Sequence, residues 1–262
     1  MLKSKLLKTF VVFSGLSMAG AQASILNGSF EQDPGTNPIV MNDSTWVAPD
    51  PNIPFAGLVG ADEGKRWGVF SGLSDWNVVG GAGIEANASG NIAGFNAYDG
   101  NYYVEMDTHF DYQNPTNSNT TIYQEVTGLT VGQQYELSFA YASRTTLAND
   151  NGVSIFWGDD VANLFDTSVM DVDTDGTALA WRIISLKLTA TAEDMLLGFG
   201  SFGTEAYDVM YKGNRYYNPE SNGKGGMLDA ISLNAVDVPE PASLGILALG
   251  LLGLGAARRK AK

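Results

Sequence analysis

Between residues 102 and 236, apolar side chains recur at every second position in short segments separated by Gly, Asn and Asp. The clearest are Tyr102–Met106, Thr121–Val126, Gln134–Ala142, Val153–Trp157, Trp181–Thr189, Met195–Phe202 and Met227–Val236. In the third, Tyr135, Leu137, Phe139 and Tyr141 alternate with Glu136, Ser138 and Ala140, the pattern of a strand with one buried face. Trp181–Leu188 is less regular. No stretch between these segments keeps a helical period for three turns, and Gly128–Gln133 is a short connection between two strands. Short strands at this spacing predict an all-β fold, an antiparallel β-sandwich or jelly roll. No internal repeat or long linker divides the region, so residues 24–237 form one domain. Residues 33–66 carry five prolines (Pro34, Pro38, Pro49, Pro51 and Pro54) and predict an irregular insertion near its start.

Composition narrows the class. The chain has 262 residues, 44% apolar and 17% charged, with 31 glycines and no cysteine. It is long enough for one large core. Disordered chains, disulfide-stapled mini-proteins and thiolate metal sites are excluded. Charge is distributed unevenly. Residues 1–23 and 242–262 hold no acid but seven of the 15 basic residues, which leaves eight cations against 29 acids in 24–241, a net of −21. Such a surface repels nucleic acid and attracts divalent cations or basic partners.

Both ends are addresses rather than parts of the domain. Lys3, Lys5 and Lys8 precede an apolar run from Phe10 to Met18, and Ala21-Gln22-Ala23 is a small-x-small cleavage pattern. Residues 1–23 are therefore expected to be a signal peptide cut by signal peptidase, the alternative being an N-terminal anchor. At the other end, Pro239-Glu240-Pro241 precedes the apolar run 242–257 and then Arg258-Arg259-Lys260. Sixteen helical residues reach only ~24 Å, a marginal transmembrane helix with a cytoplasmic basic tail. The order of these elements in 238–262 resembles the PEP-CTERM sorting signal of exopolysaccharide-producing Gram-negative bacteria. The resemblance implies recognition by a membrane exosortase, cleavage near Pro239-Glu240-Pro241, and release to the cell surface or extracellular matrix. The membrane would be touched only through the C-terminal helix before processing.

The domain carries a second resemblance. Ile25-Leu26-Asn27-Gly28-Ser29-Phe30-Glu31 resembles the opening strand of galactose-binding-like jelly rolls, a group that includes many carbohydrate-binding modules. Trp76-Asn77-Val78, Ala97–Met106, Ile122–Val126, Gly132–Phe139 and Leu228-Asp229-Ala230-Ile231-Ser232-Leu233 follow in order. The set is similar to the bacterial choice-of-anchor C-type domain. It implies a carbohydrate-binding-module-like fold, an extracellular polysaccharide partner, and a structural calcium held by Glu31 and Asp229 with backbone carbonyls. Hard oxygen ligands suit that ion. The other reading of Glu31 and Asp229 is of strand-end acids, solvated or hydrogen-bonded to turns.

Further residues carry candidate chemistry. Asp171, Asp173 and Asp175 before Gly176 match the first half of a calcium loop, but Arg182 stands where a bidentate Glu belongs. An acidic hairpin tip is expected there, with a weak calcium site as the alternative. Flat aromatic rings stack on sugars. Trp157, before Gly158-Asp159-Asp160, is expected at a sheet rim, whereas Trp76 and Trp181 sit at core positions of the pattern. Tyr207, Tyr211, Arg215, Tyr216 and Tyr217 mix aromatics with a cation and amides without strand alternation, which suits a ligand-binding loop or an ordinary packed one. Catalysis finds little support. His109 is the single histidine, no G-x-S-x-G elbow is present, and nothing marks a pair among 29 acids. The expectation is an exported carbohydrate-binding or matrix protein, not an enzyme. The alternatives are a structural surface protein with protein partners, then a glycan hydrolase or lyase.

Overall fold

The computed structural model describes residues 23–32, 67–81, 83–108, 118–203, 207–211, 214–218 and 222–236. The expected leader up to residue 22, the expected insertion 33–66 and the sorting segment from 237 lie outside the described residues, as do Trp46 and His109. Among the described residues there are strands and no helix. The strands are β1 (Trp67–Phe70), β2 (Asn77–Val79), β3 (Ile84–Ala88), β4 (Tyr102–Glu105), β5 (Thr121–Val126), β6 (Gln134–Ser143) and β7 (Gly152–Gly158). They continue as β8 (Met170–Val172), β9 (Arg182–Thr189), β10 (Met195–Phe202), β11 (Tyr207–Tyr211), β12 (Asn214–Asn218) and β13 (Gly226–Ala235).

Two antiparallel sheets form the sandwich, one in the order β1-β3-β4-β13-β6-β9 and the other β2-β5-β10-β7-β8. The chain crosses between them at most connections, staying in one sheet only from β3 to β4 and from β7 to β8. This is why the strands need turn-rich links rather than helices. Alternate positions face inward: Leu137, Phe139 and Tyr141 of β6 and Val104 of β4 meet Ile122 of β5 and Leu197 and Phe199 of β10 in one core. Phe139 and Phe199 touch across the two layers, T-shaped at 5.2 Å between centroids. Trp76 lies in this core, 6.1 Å from Phe199, with its indole N–H donated to the carbonyl of Asn27 at 3.1 Å.

The N-terminal segment closes one end. Gln124 pairs its side-chain amide with the backbone of Leu26 in both directions at 3.0 Å. The Gly28 carbonyl accepts from the N–H of Ile231 at 2.9 Å. A Cβ at Gly28 would run into the Ile231 carbonyl, so the close approach requires glycine. Ala23, placed at the end of the expected leader, is buried on the core.

Two expectations change here. The segment after Asp171 is not a hairpin tip: β8 lies at the edge of the five-stranded sheet and β9 at the edge of the six-stranded one, so residues 173–181 cross between sheets. The Asp–Gly turn chemistry is the same in both cases, and only long-range pairing separates them. The segment around Tyr207–Tyr217 does pair as strands, Tyr207 with Asn218 through Tyr211 with Asn214, in a separate two-stranded sheet.

Candidate functional site

The outward face of the six-stranded sheet is where polar and aromatic chemistry gathers. Its floor is built by the strand positions that the core does not use: Glu85 and Asn87 on β3, Tyr103 and Glu105 on β4, Ala140 and Ala142 on β6, Met227 and Asp229 on β13. These positions are buried, which an ordinary solvated sheet face would not be. Small alanines on β6 keep this part of the face low. Two segments lie over it, the turn 89–98 and the crossover 177–181.

Rings line that cover. Phe95 and Trp181 are 4.9 Å apart and tilted by 30°, Tyr103 meets Phe95 edge-on at 5.7 Å and Trp181 at 5.8 Å, and Tyr98 meets Trp181 edge-on at 6.3 Å. The Trp181 indole N–H donates to the Asn96 carbonyl at 2.8 Å, and the Leu179 N–H to the Ser143 carbonyl at 2.8 Å, which fixes the crossover against the turn. Tyr103 is fully buried beneath, while Tyr98 is 50% exposed and Phe95 and Trp181 are half-buried. The result is an aromatic cap with Tyr98 at its surface. Burial, and next the charge of Glu105, push the Tyr103 phenol well above its ordinary range.

Beneath one side of the cap sits an ion pair. Arg144, at the end of β6, donates to Glu105 Oε1 at 2.7 Å and Oε2 at 2.5 Å, and to the Gly223 carbonyl at 3.2 Å. Glu105 is 0% exposed and also accepts from the Gly225 N–H at 3.0 Å. Burial opposes the Arg144 charge, but Glu105 outweighs it and holds the guanidinium protonated. Two residues on, Asp107 accepts the N–H groups of Asn222, Gly223 and Lys224 at 3.1–3.3 Å and the Ser118 hydroxyl at 2.5 Å. Burial dominates its titration and pushes it up to about 6.

On the other side, a β-bulge in β13 between Asp229 and Ser232 interrupts the register, with Ala230 at φ 48°. Asp229 Oδ2 accepts the N–H groups of Tyr98 at 2.8 Å and Asp99 at 3.0 Å, and Oδ1 accepts from Ala230 at 2.7 Å. Burial pushes this carboxyl up to about 7. Glu31 Oε1 accepts from Asn101 and Tyr102, each at 2.7 Å. Thus two acids from opposite ends of the domain grip the one loop 98–102 through its amides. Gly100 has φ +73°, and a Cβ there would meet the Glu31 carboxyl. The acids are brought together on the turn 98–102. Among the described residues no group of three or more His, Cys, Asp or Glu is arranged to hold a metal ion. The donor set fits a hard cation only in part, because backbone N–H groups already occupy both oxygens of Asp229 and one oxygen of Glu31.

The remaining sequence candidates lie elsewhere. Trp157 is half-buried against the main core and donates its indole N–H to the Thr189 carbonyl at 2.9 Å. Asp171 sits on β8, Asp173 accepts from the Asn149 N–H at 2.6 Å, and Asp175 pairs with Arg182 at 3.3 Å. Each of these last two carboxylates therefore has its own partner. Trp181, expected in the core, belongs to the cap on the outer face. Its parity is that of a residue just before β9, where strand alternation does not yet apply. Sequence reasoning missed Phe95, Tyr98, the Glu105–Arg144 pair and Asp107. One signal was available: Glu105 stands as an acid among Tyr103, Val104 and Met106, and an acid there needs a buried partner.

The decisive match is at the C-terminus. Residues 237–260 carry the PEP-CTERM protein-sorting motif. The motif marks export and surface sorting in Gram-negative bacteria, and it contains Pro239, Glu240, Pro241, Arg258 and Arg259. The domain itself is similar to parts of curated toxins. A "Multifunctional-autoprocessing repeats-in-toxin" of Vibrio vulnificus is 35% identical over 122 residues, and that of Vibrio cholerae 30%. These matches span 46% of this chain but only 2% of either toxin. Among solved structures, TmCBM61 in complex with beta-1,4-galactotriose is 17% identical with a TM-score of 0.38, covering 63% of this chain and 92% of that one. The carbohydrate-binding module CBM6cm-2 from Cellvibrio mixtus lichenase 5A, in complex with cellotriose, is 12% identical with a TM-score of 0.34, covering 60% and 89%.

Proposed function

We propose that this protein binds polysaccharide outside the cell, through the aromatic cap of Tyr98, Trp181 and Phe95. The observation that carries the reading is a ring cluster that is open on one side and anchored on the other. Tyr98 is half exposed, its backbone is fixed by Asp229, and Trp181 is locked by Asn96. A preformed aromatic surface loses little conformational entropy when a sugar ring stacks on it. Amide, hydroxyl and carboxylate groups of the adjoining loop 98–102 supply hydrogen bonds to sugar hydroxyls. A sorted surface protein would meet extracellular glycan, which supports this reading.

The arrangement favours binding over hydrolysis. Glu85 and Glu105 are directly opposed on β3 and β4, the one such pair of acids among the described residues of this face. Glu105, however, is buried and bound through both oxygens by Arg144, so it faces a guanidinium and not a substrate. Signal peptidase cutting after Ala23 and an exosortase cutting near Pro239-Glu240-Pro241, with a transient membrane anchor between, complete the proposed route. A calcium ion at Glu31 and Asp229 would neutralise a buried carboxylate and stiffen the loop below Tyr98.

The test is retention of the full chain, in mild detergent, on insoluble polysaccharide and on the host's own exopolysaccharide. Retention is expected. A folded sample retained on none of them would remove the carbohydrate reading and leave a structural surface protein. Thermal melts with calcium and with chelator test the ion: a higher Tm with calcium, lost in Asp229→Asn, is expected, and identical melts would exclude it.

A further inference from the structure

The charges around the cap bear on which glycan it takes. Asp99, exposed beside Tyr98, accepts the Ser29 hydroxyl at 2.6 Å, and Glu31 and Asp229 hold the amides of the same loop. Glu105 lies beneath the cap, close enough to Tyr103 to disfavour its ionisation. On the approach to Trp181 stand Asp173 and the exposed Asp175. Among the described residues two guanidinium groups are near and both are committed, while the exposed Lys224 stands on the far side of the ion pair, beside Asp107. Arg144 gives its guanidinium to both oxygens of Glu105. Arg182, although next to Trp181, holds its guanidinium 4.9 Å over the Tyr141 ring, pairs with Asp175 and bonds the Asp173 carbonyl. Lys187 lies six residues from Trp181, about 20 Å along an extended strand and beyond the ~8 Å screening length of physiological salt. The cap therefore offers a stacking surface in a local excess of carboxylate, within a region of net charge −21.

Resting on the polysaccharide reading above, we infer that the cap is selective for uncharged glycan chains and rejects those bearing uronate or sulfate. A uronate on the ring stacked over Tyr98 and Trp181 would meet Asp99 and the carboxylates behind it, with no uncommitted guanidinium among the described residues in reach. Each like charge within several ångströms weakens binding, and salt screens the penalty. Uncharged rings escape the penalty and keep the stacking. Discrimination here comes from a built-in repulsive element as much as from an attractive one.

The experiment uses the full chain with polymer pairs that differ at C6: galactan with polygalacturonate, mannan with polymannuronate, glucan with polyglucuronate. Affinity electrophoresis is run in chelator, so that calcium cannot bridge carboxylates, at about 20 mM and about 500 mM salt. The expected result is that at least one neutral polymer binds about tenfold tighter than its uronate partner at low salt, with the gap narrowing at high salt. Neutral binding should be nearly salt-independent. Asp99→Asn should raise the uronate affinity severalfold. A uronate polymer that binds as tightly as its neutral partner at low salt, and is lost in Tyr98→Ala, would overturn the selectivity while leaving polysaccharide binding intact. Binding of no polymer under either condition would overturn both.

Discussion

At the scale of single residues, the strongest dependence is on Arg144. Its guanidinium is 27% exposed while its partner Glu105 is fully buried, so removing the arginine strands a charge in the interior. Arg144→Ala should destabilise the domain by about 3–5 kcal/mol, the usual result of breaking a buried pair. In a domain of this size that is a fall in Tm of roughly 10 °C. Thermal melts check it, and Arg144→Lys, which keeps charge but loses the fork, should fall between. A smaller loss would show that water reaches Glu105. Asp107 gives a pH dependence of unusual sign. Its folded-state value, about 6, lies above that of an unfolded carboxyl near 4, so the folded chain holds a proton that the unfolded chain has released. This contribution to stability is present below pH 4 and is lost as pH rises towards 6. Asp107→Asn, nearly isosteric, should flatten that part of a Tm–pH curve measured in chelator.

At the scale of elements, the loop 98–102 is held at two points by acids from the two ends of the domain. Gly100→Ala forces a Cβ into the Glu31 carboxyl at a positive φ, and should cost about 1–3 kcal/mol in a denaturant melt. The same change should weaken glycan binding, because Tyr98 rides on that loop. An unaltered melt would show that the tie at Asp229 suffices. Long strands were readable from the chain: β5 and β10 have the bounds their alternation implies, β6 and β9 differ by a residue at one end, and β7 and β13 by a residue at each end. What stayed hidden has a common cause. β3 is buried on both faces, so polar and apolar side chains are interleaved without a solvated side to sharpen the pattern. The cap is likewise made of residues more than 80 apart in sequence, Tyr98 and Trp181 among them, brought together by a sheet crossover that leaves no local mark. The paired acids Glu31 and Asp229 could be singled out in the sequence, yet the amides that hold them could not.

At the scale of the whole molecule, an acidic domain and a sorting motif with an apolar run and a basic end share one chain. On the proposed route the terminal cations would act during export, leaving a strongly anionic domain. Deleting residues 237–260 should leave the fold unchanged and shift the protein from the cell surface to other fractions, which fractionation and immunoblotting would read. Unchanged surface display would mean that another element sorts it. The two-sheet scaffold gives the cap its rigidity, since ring, loop and ion pair are all fixed to β4, β6 and β13 of one sheet.

The most direct measurement compares the glycan affinity of Tyr98→Ala and Trp157→Ala with that of the parent chain, at equal fractions folded. Tyr98→Ala should lose about tenfold or more in affinity with little change in Tm, since it removes an exposed stacking face. Trp157→Ala should do the reverse, lowering Tm through lost core packing while the remaining folded protein binds normally. Full affinity in Tyr98→Ala, with loss in Trp157→Ala beyond its instability, would move the ligand off the cap and onto the rim of the other sheet.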